Sequence, residues 1–133
     1  MYGELFRWSI DRNEWRRIDS LNTPPPRCSH QAAYYKDRLY IFGGEYATPD
    51  HFHHYKDMWS LDLKTNEWTE IKPSGDSPSA RSGHRMLVWR NFLVLFGGFY
   101  EALRESRFFA DVYLYSFQEV SQPPAALVSS THA

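Results

Sequence analysis

Arg38-Leu39-Tyr40-Ile41-Phe42-Gly43-Gly44 is a short strand of β-branched and aromatic residues that runs straight into a double glycine. Fifty-four residues later it returns as Asn91-Phe92-Leu93-Val94-Leu95-Phe96-Gly97-Gly98. Two copies of a strand ending in Phe-Gly-Gly at a fixed interval mark an internal repeat, and a repeat governs how every other segment is read.

Working outward, residues 4–10 alternate, with Phe6, Trp8 and Ile10 on one face, the period of a half-buried strand. The turn Asp11-Arg12-Asn13-Glu14 leads into Trp15-Arg16-Arg17-Ile18, and its Asp and Asn tolerate left-handed backbone and bond their own main chain. This hairpin recurs 53 residues on: Trp59, Leu61 and Leu63 stand for Phe6, Trp8 and Ile10, Asn66-Glu67-Trp68 for Asn13-Glu14-Trp15, and Ile71 for Ile18. Between the two hairpins Pro24-Pro25-Pro26 bars a regular strand. Arg27-Cys28-Ser29-His30 then precedes Gln31–Tyr35, and its echo Arg81-Ser82-Gly83-His84 precedes Arg85–Trp89, 54 residues later. Twelve-residue loops, 45–56 and 99–110, follow the glycine pairs and end at Asp57 and Asp111.

Each unit is therefore an Arg-x-x-His strand, a strand to Gly-Gly, a long loop, an Asp-led strand and a Trp-led strand. The expected fold is all-β, with four-stranded antiparallel units. Residues 4–18 are the last two strands of a first unit, 27–72 a complete one, and 81–117 one lacking its fourth strand. Residues 118–133 carry Gln122 where a third tryptophan is due and show no alternation, so they read as a disordered tail. Nine strands in all are expected.

Composition bounds the function classes. Of 133 residues, 42% are apolar and 17% aromatic, which supplies a core. Fifteen basic against sixteen acidic residues, with no run of one sign, favour neither nucleic acid nor an anionic membrane as partner. Cys28 is the only cysteine, so no intramolecular disulfide forms, and no apolar stretch is long enough for a signal or a spanning helix. A cytoplasmic or nuclear location is expected.

The ordered set Gly43-Gly44, Gly97-Gly98, Trp15, Trp68, Arg27/His30 and Arg81/His84 resembles kelch repeats, the four-stranded blades of a β-propeller. Pro24-Pro25-Pro26-Arg27-Cys28-Ser29-His30, Tyr55-Lys56-Asp57 and Arg81–Met86 look like the kelch domain-containing protein 4 group. The resemblance implies a partial propeller of about two and a quarter blades and an intracellular, non-enzymatic role. The named glycines, tryptophans and Arg-x-x-His residues have structural duties in it. A propeller typically has four to eight blades, so the chain reads as a fragment that is marginal or self-associating, with open edges and apolar faces.

Antiparallel parity puts 20–29, 45–56, 72–83 and 99–110 at one end of the units. Glu45, Tyr46, His54, Tyr55, Phe99, Tyr100, Arg104 and Arg107 there are the candidate partner-binding residues, since aromatic and Arg side chains on exposed loops suit protein recognition. His51, His53 and His54 with Asp50 and Glu45 raise a metal site, loosely like the Glu-x-x-x-Asp-x-x-x-His iron motif of kelch-type specifier proteins, but the first spacer here is four residues. No Gly-x-Ser-x-Gly or phosphate loop is present, and Cys28 lacks the context of the copper site of galactose oxidase. The expectation is no enzyme activity, no metal and no cofactor, and a module that binds a protein partner. Substrate recognition for a ubiquitin ligase is the alternative.

Overall fold

The computed structural model describes residues 1–117, and every regular element in them is a β-strand. In chain order these are β1 (Leu5–Ser9), β2 (Glu14–Ile18), β3 (Gln31–Tyr35), β4 (Arg38–Phe42), β5 (Glu45–Ala47), β6 (Phe52–His54) and β7 (Met58–Asp62). They continue with β8 (Glu67–Ile71), β9 (Arg85–Trp89), β10 (Phe92–Phe96), β11 (Phe99–Ala102), β12 (Glu105–Phe108) and β13 (Val112–Ser116). The hairpin β1-β2 is followed by a four-stranded sheet in the order β3-β4-β7-β8 and a three-stranded sheet in the order β9-β10-β13, all antiparallel. The expected disordered tail, 118–133, lies outside the described residues.

Among the described residues the expected nine strands become thirteen because both long loops fold back on themselves. β5 pairs with β6 in the register Glu45↔His54, and β11 with β12 in the register Phe99↔Phe108. The first ribbon closes through Thr48, whose backbone N–H donates to the His51 carbonyl at 2.7 Å. In both loops the strands are only three or four residues long and carry no regular alternation, so no period marks them in the sequence.

Local chemistry sets the registers. Lys36 and Asp37 both adopt positive φ (43° and 62°), giving the tight turn that aligns Tyr35 with Arg38. Asn13 and Asn66 take the left-handed position in the matching turns (51° and 59°), so Trp8 meets Trp15 as Leu61 meets Trp68. The Asp62 carboxylate accepts from the N–H groups of Lys64 and Thr65 and holds the second turn.

β4 is buried on both faces. Tyr40 and Phe42 join Met58, Leu93 and Leu95 in a cluster that cements the four-stranded sheet to the three-stranded one. Ile41 points the other way, into Trp59, Leu61 and Trp68, with Leu5 of the hairpin packed on them. Leu87, Trp89, Phe96, Val112 and Leu114 lie on the opposite face of the three-stranded sheet and are exposed.

The two repeat tryptophans part company. Trp68 is 7% exposed and its indole N–H donates to Ser20 Oγ at 3.3 Å, whereas Trp15 is 69% exposed and meets only the Trp8 ring, 6.5 Å away. Equivalent sequence positions thus have unequal weight, because the hairpin is not part of a larger sheet. Trp68→Ala is expected to cost about 3–5 kcal/mol, and Trp15→Ala about 1 kcal/mol or less. Urea denaturation of the two variants checks this; equal losses would contradict it.

Candidate interaction surface

The end of the molecule that carries the ribbons is built on a repeated ion-pair lock. Arg27 donates to both carboxylate oxygens of Asp57, at 2.6 and 2.8 Å, and to the Gly43 carbonyl at 3.1 Å. Arg81 does the same with Asp111, at 2.6 and 3.1 Å, and with the Gly97 carbonyl at 3.1 Å. Each guanidinium is stacked on an aromatic ring, Tyr55 at 4.0 Å and Phe109 at 3.8 Å. Both arginines are buried, and a planar fork is the side chain that can satisfy a carboxylate and a carbonyl together. Burial would raise the Asp57 carboxyl, but its bonds from Arg27 and the Trp59 indole outweigh that and hold it below the usual range. The Arg81 hydrogen bond does the same for Asp111. In the sequence these arginines stand at strand starts with no partner beside them; the signal of the lock is the constant 30-residue interval from Arg to Asp in both units.

Backbone bonds knit one unit to the next at this end. Gly44 N–H donates to the Arg81 carbonyl at 3.0 Å, Arg81 N–H to the Tyr55 carbonyl at 3.2 Å, and Gly83 N–H to the Ser29 carbonyl at 3.1 Å. Isolated bridges pair Cys28 with Glu45 and Ser82 with Phe99, so each Arg-x-x-His segment is stitched to the ribbon of its own unit.

His54 joins the two ribbons. It is buried, its Nε2 accepts the Glu101 N–H at 3.0 Å, and Nδ1 lies 2.6 Å from Ser82 Oγ. With Nε2 accepting, the ring proton sits on Nδ1 and is given to the serine. Glu45 Oε2 lies 4.0 Å from that same Nδ1. A catalytic triad needs the carboxylate and the serine on opposite ring nitrogens and the serine as donor, so Glu45, His54 and Ser82 are a structural network. Burial lowers the His54 pKa, with the Glu45 carboxylate opposing. The Glu45 carboxylate also accepts from the Cys28 thiol (3.7 Å) and the Ser29 hydroxyl (3.4 Å).

The remaining candidates divide by exposure. Tyr55 donates through its hydroxyl to the Pro26 carbonyl at 3.2 Å and carries the Arg27 guanidinium. Phe99 and Tyr100 flank His54, with ring centroids at 5.6 and 5.2 Å, and the Tyr46 ring packs at a tilt against His53. Arg104 and Arg107 are exposed, the latter paired with Glu105. Phe52, Leu103 and Phe108 are exposed on the same ribbons (45%, 106% and 87%); Phe52 and Leu103 carry no signal in the sequence because no period marks a ribbon tip. A groove of about 790 Å³ lies between the tips, lined by Thr48–Phe52 and Glu101–Leu103. Among the described residues no group of three His, Cys, Asp or Glu side chains is placed to hold a metal ion; His51 is exposed and His53 packs edge-on against Tyr55.

His30 and His84, equivalent in sequence, also differ. His84 is fully buried, edge-on to Phe42 with centroids 5.5 Å apart, and neither ring nitrogen has a hydrogen-bond partner. His30 is exposed. Burial lowers the His84 pKa to about 4; the Phe42 carbonyl, outside bonding geometry, opposes it and loses. Below about pH 6.5 the unfolded chain takes up a proton that the folded chain refuses. The contribution of neutral His84 is thus complete above that pH and is lost as pH falls towards about 4. Chemical denaturation from pH 7.5 to 4.5 is expected to show a loss of about 3 kcal/mol. His84→Phe, which leaves no nitrogen unpaired, should flatten that slope; an unchanged slope would overturn the assignment.

Successive twisted antiparallel sheets, packed face to face and joined at Gly-Gly corners by Arg–Asp locks, define a partial β-propeller. The family model described as the KLHDC2/KLHL20/DRC7 Kelch-repeats domain matches residues 1–127, and the chain belongs to the kelch-repeat family. It is 35% identical over 101 residues to acyl-CoA-binding domain-containing protein 5 of Arabidopsis thaliana, covering 74% of this chain and 15% of that protein. It is 37% identical over 101 residues to dynein regulatory complex subunit 7 of Chlamydomonas reinhardtii, covering 72% of this chain and 8% of the other. Against the N-(sulfonatooxy)prop-2-enimidothioate sulfolyase of Thlaspi arvense it is 34% identical over 107 residues, covering 78% and 29%. The chain thus spans less than a third of each of these relatives.

Proposed function

We propose that this chain is a non-enzymatic protein-interaction part of a kelch propeller, and that its ribbon end makes the contact. The observation that carries the reading is the exposed set Phe52, Leu103, Arg104, Arg107 and Phe108 on two ribbons whose bases are tied by His54, Ser82 and the Glu101 N–H. Rigid support beneath exposed aromatic and Arg side chains lowers the ordering cost of binding. The subunit naming of the Chlamydomonas relative, a member of a multiprotein complex, agrees with a protein partner. Within the kelch family we assign the chain to the kelch domain-containing protein 4 group on the Pro-Pro-Pro-Arg-Cys-Ser-His run, and to the cytoplasm or nucleus on its single, free cysteine.

The test is proximity labelling with the wild type and with Leu103→Ser/Arg104→Ala/Arg107→Ala/Phe108→Ser. The variant is expected to lose the labelled partners while keeping its circular dichroism, since all four side chains are exposed. An unchanged partner set would overturn the reading. Recovery of a cullin adaptor in the wild-type sample would mark the partner as a ubiquitin ligase. The exposed face of Leu87, Trp89 and Phe96 should also drive self-association. Sedimentation at rising concentration is expected to show it, and a monodisperse monomer with a sharp two-state melt would contradict it.

A further inference from the structure

Three Ser/Thr-Pro pairs occur among the described residues, Thr23-Pro24, Thr48-Pro49 and Ser77-Pro78, and all three hydroxyl residues are exposed. A proline holds the residue before it in the extended region and brings no N–H of its own. An enzyme that acts on such a hydroxyl needs it unbonded, on a segment able to leave its own fold over several residues. The three pairs differ in this respect. Thr48 is committed to the turn of the first ribbon. Its hydroxyl accepts the His51 N–H at 3.0 Å, and its own N–H donates to the His51 carbonyl at 2.7 Å. Thr23 has stitched residues on both sides. Leu21 donates to the Asn66 carbonyl and accepts from the Trp68 N–H, at 3.0 and 2.9 Å, and the Asn22 amide donates to the Trp68 carbonyl at 2.8 Å. Beyond it, the Pro25 and Pro26 carbonyls accept from Arg27 and Tyr55, each at 3.2 Å. Ser77 is the repeat equivalent of Thr23, 54 residues on. From Lys72 to Pro78, however, no residue makes a hydrogen bond or an ion pair. Lys72 to Ser77 are all exposed, and a Cβ at Gly75 would meet nothing within 4 Å. Bonding resumes at Ser79, whose carbonyl and hydroxyl accept from Arg81 at 3.2 and 3.3 Å.

We propose that Ser77 is a phosphorylation site for a proline-directed serine/threonine kinase, and that the folded chain withholds Thr23 and Thr48 from the same enzyme. The γ-phosphoryl group of ATP passes to Ser77 Oγ, the hydroxyl proton goes to the kinase's catalytic carboxylate, and ADP leaves. The product carries about 1.5 to 2 added negative charges next to Asp76. The choice among the three pairs is made by the fold, since the Ser/Thr-Pro dipeptide is common to them all. This site stands on the 72–78 loop and does not depend on the ribbon-end reading.

The full chain is incubated with a purified mitogen-activated protein kinase and Mg-ATP, and the modified residues are mapped by mass spectrometry. Synthetic peptides of residues 18–28, 43–53 and 72–82, too short to fold, are run beside it. Ser77 should react in the chain within about threefold of its rate in the peptide, whereas Thr23 and Thr48 should react about tenfold or more slowly in the chain, because their segments must first open. Pro78→Ala should remove most of the Ser77 labelling. In cells expressing the full chain, a phosphopeptide spanning Ser77 is expected. Ser77 as strongly protected in the chain as the two threonines would overturn the proposal, and so would Thr23 or Thr48 reacting as fast in the chain as in its peptide. Labelling that survives Pro78→Ala, or no Ser77 phosphopeptide from cells treated with phosphatase inhibitors, would do the same.

Discussion

Arg81→Met should cost about 3–5 kcal/mol, enough to unfold most of a marginally stable chain at neutral pH. The guanidinium is 1% exposed, forks onto both Asp111 oxygens, bonds the Gly97 carbonyl and stacks 3.8 Å from the Phe109 ring. Its backbone is committed as well, accepting from Gly44 and donating to Tyr55. Removing the charge leaves a carboxylate and a carbonyl without their donor, and the loss of a partner costs more than the pair contributes net. The Asp111 side chain is 37% exposed, which places the cost towards the lower end of the range. Asp111→Asn, which keeps an acceptor, should cost less, and the double variant should show coupling between the two. Because the folded Asp111 and Asp57 carboxyls sit below their ordinary values, their contribution is present above about pH 4 and is lost as pH falls further. Guanidinium titration of the single and double variants is the measurement. A loss under about 1 kcal/mol for Arg81→Met would show that the lock does not hold the corner.

Gly43→Ala should destabilise by about 3 kcal/mol or more, and Gly97→Ala by about 1–2 kcal/mol, although the two glycines are repeat equivalents with nearly the same backbone. Their φ angles are 67° and 70°, so an L side chain meets the same left-handed penalty at both. Their surroundings differ. A Cβ at Gly43 would stand 2.6 Å from the Arg81 carbonyl oxygen and 2.9 Å from the His84 ring, both belonging to the next sheet. At Gly97 the nearest atom is the Phe109 carbonyl oxygen, at 3.3 Å. The difference between the variants therefore reads the packing of one unit on the next, with backbone strain cancelled. Urea midpoints at constant slope give it directly. Equal costs would mean that the Gly43 corner opens freely and that the two sheets do not pack as described.

Much of the architecture is visible in the chain because each strand carries its own label. Alternation at 4–10, the Asn turns at 13 and 66 and the two Phe-Gly-Gly runs act over a few residues, where sequence and conformation are tightly linked. The ribbons β5-β6 and β11-β12 were not visible, since three or four residues on each side of a turn leave too little pattern to distinguish a ribbon from a loop. The site was partly legible. Arg104 and Arg107 are exposed on a ribbon as the loop reading expects, while His54 turns inward to hold Ser82 and Glu101. A histidine in a polar loop looks the same in sequence whether it faces solvent or a neighbouring unit.

The sequence by itself determined that the chain is a kelch repeat array, that its sheets are antiparallel and where the strands of those sheets fall. Those properties depend on periodicity, turn chemistry and a spacing of 53 or 54 residues, all local or additive along the chain. Only the tertiary structure decided which member of each repeated pair matters more. Trp68 over Trp15, His84 over His30 and Gly43 over Gly97 are choices made by what packs alongside. A repeat gives equivalent residues the same backbone, but burial belongs to the interface between units, and the units on the two sides of each copy are not the same.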